Sequence, residues 1–212
     1  MYKVITNKYA SIIETKIRDC NTDKEMLRKS LYELGVMVGQ EICLENMSSE
    51  VKVHTPMKEE FKGFNIDTSK EYIVISTKDD YAYFANGLSS VIGDCYRGYI
   101  DFGGSRGEDV YTSPIRSIDL PDIKTGRPVE FVIIAKSVLA TGCTAISLAK
   151  KALEKYMPRG IIIASAFYSE RGVYELKREI PHAEIYVCTN PDQVDHDGML
   201  IPGVGNLDQR LN

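Results

Sequence analysis

The sequence predicts an α/β domain built on a mostly parallel sheet with helices on both faces. Three observations predict it. Residues 129–135, 160–166 and Glu184–Cys188 are apolar runs of strand length. Stretches with apolar residues at spacings of three and four separate them, which is the period of a helical face. Parallel strands need long crossovers, and those crossovers carry helices over both faces of the sheet, so the strands read as continuous apolar runs rather than alternating ones. The composition agrees: 212 residues, 43% hydrophobic and 26% charged, suffice to bury one core without staples and suit a single domain over residues 1–212.

The elements follow in order. Thr22 with Glu25 three residues on reads as a capping box, and Leu27, Leu31, Leu34, Val38 and Ile42 draw one apolar stripe, predicting a helix over residues 23–46. Short strands are expected at residues 51–54 and 71–77, a helix over 82–93 and a strand over 95–102. Residues 102–128 differ. They open on Gly103-Gly104-Ser105-Arg106-Gly107-Glu108-Asp109, close on Thr125-Gly126-Arg127-Pro128, and read as a flap or hairpin leaving the sheet, the kind of excursion that carries function. After the strand at 129–135, a helix over 145–157 presents Ile146, Ala149, Leu153 and Tyr156 on one face. A strand at 160–166, a helix at 171–180 stopped by Pro181 and a strand at 184–188 complete the pattern.

Charge and composition exclude several function classes. A formal net charge of -4 gives no basic footprint for nucleic acid or an anionic membrane, so a small-molecule ligand is expected. The first residues lack the apolar stretch of a signal peptide, and no run approaches the ~18 apolar residues of a spanning helix, so a cytoplasmic protein is expected. Cys20, Cys43, Cys95, Cys143 and Cys188 are odd in number with no Cys-x-x-Cys pair, which fits reduced thiols. His196, between Asp195 and Asp197, reads as an exposed polar turn.

Open α/β sheets bind ligands beyond the carboxyl ends of their strands. The segment after residues 129–135 reads Lys136-Ser137-Val138-Leu139-Ala140-Thr141-Gly142-Cys143-Thr144-Ala145. Gly142 lets the backbone turn closely, two threonines supply hydroxyls, and the helix that follows points unpaired N–H groups and its positive dipole end at the loop. Such a place favours a phosphate dianion. Cys143 is a small residue in that loop, with no histidine near in sequence to activate it.

The run Leu139-Ala140-Thr141-Gly142-Cys143-Thr144-Ala145 closely resembles the phosphate loop of uracil phosphoribosyltransferases, and Gly198-Met199-Leu200-Ile201-Pro202-Gly203-Val204-Gly205 resembles that family's base-binding segment. The likeness extends through Arg106-Gly107-Glu108-Asp109. It implies a phosphoribosyltransferase-type fold, a transfer of a 5-phosphoribosyl group from its diphosphate donor to a pyrimidine nitrogen, magnesium, and a homodimer or higher homo-oligomer. It implies that Leu139 to Ala145 hold the 5′-phosphate and that main-chain groups around Met199, Leu200, Ile201, Gly203, Gly205 and Asn206 read a base. Arg106 would meet the diphosphate from the flap.

The chain departs from that pattern at the donor end. Asp79-Asp80-Tyr81 stands where the family has an Arg-Ala-Gly turn, and Lys136 where it has an aspartate facing the ribose. Asn206 and Gln209 replace two further aspartates. Three readings follow: an active transferase with rebuilt contacts, Asp79 and Asp80 holding magnesium and Lys136 and Arg106 as cations; a regulatory protein that binds nucleotides or phosphosugars without transfer; or a different reaction on a phosphorylated sugar. The exchanged charges Asp79 and Lys136 are expected to meet each other.

Overall fold

The computed structural model describes residues 2–211; the outermost residues of the expected domain, Met1 and Asn212, lie outside the described residues. The chain opens with β1 (Lys3–Ile5) and α1 (Lys8–Arg18), then α2 (Lys24–Ile42), whose last turn widens into a π-helical turn over Cys43–Met47. A hairpin of β2 (Ser48–His54) and β3 (Glu60–Ile66) precedes β4 (Glu71–Thr77), α3 (Lys78–Tyr81), α4 (Phe84–Ile92) and β5 (Tyr96–Asp101). The excursion carries α5 (Asp109–Thr112) and β6 (Ser117–Asp119). Then come β7 (Val129–Leu139), α6 (Cys143–Lys155), β8 (Gly160–Tyr168), α7 (Glu170–Glu179) and β9 (Glu184–Cys188). The short strands β10 (Gln193–Val194) and β11 (Leu200–Ile201) and the helix α8 (Leu207–Leu211) follow.

Seven strands form one sheet in the order β1-β9-β8-β7-β4-β5-β6, and every neighbouring pair is parallel except β5 and β6. The alternation of side chains along each strand divides the core in two. Tyr72, Val74, Ile133, Ala135, Ile162 and Ala164 pack with α1, α2, α4 and α8. Their neighbours Ile73, Ile75, Val132, Ile134, Ile161 and Ile163 pack with α6 and α7. Both faces are therefore covered, which is why the strands read as unbroken apolar runs. Helices α2 and α4 lie backbone to backbone: a Cβ on Gly39 would stand 2.7 Å from the Leu88 carbonyl oxygen, and one on Gly35 or Gly87 would collide outright with the facing backbone.

Several expectations need adjustment. The α2 cap is Asp23, not Thr22: its carboxylate accepts the Met26 amide at 2.8 Å, while the Thr22 hydroxyl donates to the Lys16 carbonyl at 2.6 Å. A carboxylate one residue closer to the helix wins that place because it is the stronger acceptor for an amide at a positive dipole end. The excursion over 102–128 is a wide hairpin only in the sense that β6 returns antiparallel to β5. The compact two-stranded hairpin is β2–β3, outside the main sheet. Helix α1 was not expected, although Ala10, Ile13 and Ile17 line one buried face behind an Asn7 cap.

Candidate active site

A cleft of about 320 Å³ opens at the carboxyl ends of β4 and β7. Strand β7 continues past Ala135, pairing Lys136 with Ser165, Val138 with Phe167 and Leu139 with Tyr168. Lys136 and Ser137 thus belong to the strand, and the loop shrinks to Ala140, Thr141 and Gly142 before α6 begins at Cys143. Gly142 has φ 84°, the left-handed region, and a Cβ there would lie 2.9 Å from the Gly172 carbonyl oxygen. The start of α7 clamps the loop from behind. Ser169 Oγ donates to the Ala140 carbonyl at 2.5 Å and accepts the Gly172 amide at 2.9 Å, and the Ser169 amide donates to the Leu139 carbonyl at 3.0 Å. The loop and the first turn of α6, which carries no acidic residue, line the cleft.

On the opposite wall, α3 lowers Asp80 into the site, where it is 6% exposed. Ser137 Oγ donates to Asp80 Oδ1; Lys136 Nζ forms an ion pair with Oδ2, which also accepts the Thr77 hydroxyl at 3.4 Å. Lys136 therefore meets Asp80, not Asp79. The second residue of the acidic pair is buried against the strand end and the first is exposed, because α3 turns between them. Asp79 reaches solvent at the cleft and makes no hydrogen bond or ion pair among the described residues. Partial burial, reinforced by Asp208, pushes its carboxyl above the ordinary range despite the attraction of Lys136.

Arg106 stands on the cleft, but its guanidinium is held by the Asp208 carboxylate and donates to Asn206 Oδ1 at 3.0 Å. The loop before it is fixed by Asp101, whose Oδ1 accepts the Gly103 amide at 2.8 Å and whose Oδ2 lies 3.3 Å from Lys78 Nζ. The Gly103 amide, then burial and Lys78, set the Asp101 carboxyl below its usual value, the amide and the lysine prevailing. The stability it contributes is present above the ordinary carboxylate range and is lost as pH falls through the lowered value. We expect the Gly103 amide resonance to titrate below the ordinary carboxylate range, and Asp101→Asn to abolish that titration; an unchanged profile in the variant would assign it to another group.

The C-terminal wall is a turn braced from behind. Asp195 Oδ1 accepts the Met199 amide at 2.8 Å, and β10 pairs with β11. The Ile201–Pro202 peptide is cis. Arg18 donates to the Gly203 carbonyl at 2.8 Å and pairs with Asp192 at 2.9 Å. Arg210 donates to the Ile17 and Val204 carbonyls at 2.6 and 2.8 Å.

The structure brings Asp79, Asp80, Arg106, Lys136, Leu139 to Ala145, Met199, Leu200 and Gly205 onto one cleft. Three expected residues stand apart from that lining. Ile201 is exposed, Gly203 gives its carbonyl to Arg18, and Asn206 is a partner of Arg106. His196 is exposed beside Asp197, as a turn residue. Asp208 and Thr77 were not foreseen, and Ser137 was named only within the segment after the strand, with no role of its own. Asp208 has no motif of its own, whereas Ser137 beside a lysine at a strand end is a polar pair on a buried strand, a signal that was available. Among the described residues no three His, Cys, Asp or Glu side chains gather to hold a metal ion, and both Asp80 oxygens already have partners. Asp80 thus does not fit a resident metal.

No described helix is long and apolar enough to cross a membrane. A protein of Aquifex aeolicus, AQ2163, superposes with a TM-score of 0.81 at 23% identity, covering 100% of this chain and 97% of that one, and so shares the fold. Among curated proteins, the uracil phosphoribosyltransferase of Natronomonas pharaonis is 27% identical across 98% of this chain and 94% of its own. That of Thermococcus gammatolerans is 28% identical across 99% and 92%. The family model for uracil phosphoribosyltransferase matches residues 106–211, the stretch that holds Arg106, the loop around Gly142 and the C-terminal wall. With loop, wall and flap on one cleft at the strand ends, the chain belongs to the uracil phosphoribosyltransferase family and is a phosphoribosyltransferase enzyme.

Proposed function

We propose that this enzyme transfers a 5-phosphoribosyl group from its diphosphate donor to a ring nitrogen of uracil or a related small planar base. The observation that carries the reading is the glycine-turned loop at Thr141-Gly142-Cys143, clamped by Ser169 and opening onto the same cleft as Met199, Leu200 and Gly205. In the reaction the bond from C1′ to the diphosphate oxygen breaks, the bond from C1′ to the base nitrogen forms, diphosphate leaves with the electron pair, and the proton of the base nitrogen passes to the departing diphosphate or to solvent. Amides at residues 141–145 hold the 5′-phosphate. Backbone groups at residues 199–205 match the donors and acceptors of a planar amide in fixed directions. Lys136 and Arg106 are the cations on the cleft able to face the departing diphosphate, and Arg106 must exchange Asp208 for it. Magnesium, in this reading, arrives with the donor and offsets its charge, and Asp79, which has no hydrogen bond or ion pair among the described residues, is a carboxylate on the cleft open to it.

The test is turnover of the diphosphate donor with uracil and other bases, beside equilibrium binding of nucleoside monophosphates with and without magnesium. We expect turnover, donor affinity that is weak in chelator and steeply magnesium-dependent, and monophosphate affinity that is nearly indifferent to the metal. Donor binding that is tight in chelator contradicts the reading.

One observation favours a second reading, a nucleotide-binding regulator without transfer. Asp79, Asp80 and Asp208 crowd the donor end, and Lys136 and Arg106 are already paired with two of them. Monophosphate binding with no donor binding and no turnover would establish it.

A further inference from the structure

Arg18, at the end of α1, is not on the cleft, yet it holds one of its walls. Its guanidinium is fixed from three directions. Nη1 and Nη2 donate to the two oxygens of Asp192 at 2.9 and 3.0 Å, Nε donates to Glu14 at 2.8 Å, and Cζ lies 4.9 Å from the centre of the Phe167 ring. Asp192 is itself buried, and its amide donates to the Tyr168 carbonyl at the end of β8 at 2.8 Å. Nη1 also donates to the Gly203 carbonyl at 2.8 Å. A planar fork engaged in this way is a fixed point for that carbonyl, which the freely turning donors of a lysine would not be.

Gly203 needs a fixed point. It holds φ 65°, and a Cβ there would lie 2.0 Å from the Leu200 carbonyl oxygen, so a glycine is required. A glycine leaves the peptide plane after it free to take several directions. Among the described residues the bond from Arg18 is the one hydrogen bond made by the 203–204 peptide, so Arg18 is what selects its direction. That peptide is trans, and in a trans peptide the Val204 amide points opposite to the Gly203 carbonyl. Arg18 draws the carbonyl toward α1, no described residue of which lines the cleft, whereas Val204 does line it. The Val204 amide is therefore the donor that this peptide has to offer a ligand.

We propose that Arg18 is a positioning residue for base recognition: by fixing the Gly203 carbonyl it turns the Val204 amide toward an acceptor atom of the planar base. The proposal rests on the transferase reading, in which a base lies against residues 199–205. The test compares calorimetric titrations of the full chain with uridine 5′-monophosphate and with ribose 5-phosphate, which differ in the base. Arg18→Met should weaken the nucleotide about tenfold, as expected for one misdirected hydrogen bond, and leave ribose 5-phosphate unchanged. In turnover the KM for uracil should rise while the KM for the diphosphate donor stays. Because Arg18→Met leaves the Asp192 carboxylate buried and unpaired, Arg18→Met with Asp192→Leu removes the pair together; it should recover the Tm without recovering nucleotide affinity. Variants that keep the wild-type ratio of the two affinities, whether both ligands hold or both weaken, would overturn the proposal and leave the transferase reading standing. A wild-type chain that binds the two ligands equally would remove the base from this wall, and the proposal with it.

Discussion

Gly142→Val is expected to abolish binding of every 5′-phosphorylated ligand at the active site. Two causes act together. Gly142 holds φ 84°, where a β-branched residue is strained by on the order of 1–3 kcal/mol. Its Cβ would also press on the Gly172 carbonyl at 2.9 Å, and Gly172 is itself packed against the loop, where a Cβ would lie 2.5 Å from the Ala140 carbonyl oxygen. Neither backbone can retreat without opening the clamp that Ser169 holds. The loop amides would turn out of register with a bound phosphate, and a loss of several kcal/mol, 10²-fold or more in affinity at about 1.4 kcal/mol per factor of ten, follows. Thermal unfolding should show a lowered Tm with one cooperative transition, and calorimetry with a nucleoside monophosphate should show no heat. A folded variant that binds normally would remove the phosphate from this loop.

Asp80→Ala should be the most damaging single change elsewhere in the cleft. The substitution leaves Lys136 and Ser137 facing a hole where a buried carboxylate had joined them. Removing one partner of a buried pair costs about 3–5 kcal/mol, reduced here toward the lower end because Lys136 remains 20% exposed and can partly turn to water. Replacing both partners by apolar residues of similar size is often neutral, so Asp80→Leu with Lys136→Met should recover most of the stability in urea unfolding. In the transferase reading it should not recover turnover, since Lys136, a cation of the cleft, is gone. Equal stability of the single and double variants would mean that the pair is held apart by solvent and contributes little.

The sheet was legible from the sequence because buried parallel strands leave an unmistakable trace. Tyr72 to Ser76 and Val132 to Ala135 are buried on both sides, so their order and length could be read without knowing their neighbours. The loop after β7 was legible for a local reason: a glycine between a strand and a helix marks where the chain must turn closely. What the residues could not reveal was direction. Asp79 and Asp80 are adjacent and chemically identical, and which of them meets Lys136 depends on the turn of a four-residue helix. The bond from Arg106 to Asp208 spans 102 residues and has no local signature. Helix α1 was obscured by exposed apolar residues such as Tyr9 and Ile12, which blur its stripe.

The clasp formed by Arg18 and Arg210 ties the C-terminal wall of the cleft to α1 across separations such as the 193 residues between Arg210 and Ile17. Contacts of that reach are the slowest to form, since the chain between their ends must first be brought into place. The sheet can assemble from nearer neighbours, but the pocket acquires its last wall only when residues 203–210 dock on α1. During synthesis that makes ligand capture one of the final events, and in the finished protein it makes this wall a unit able to open while the sheet stays folded.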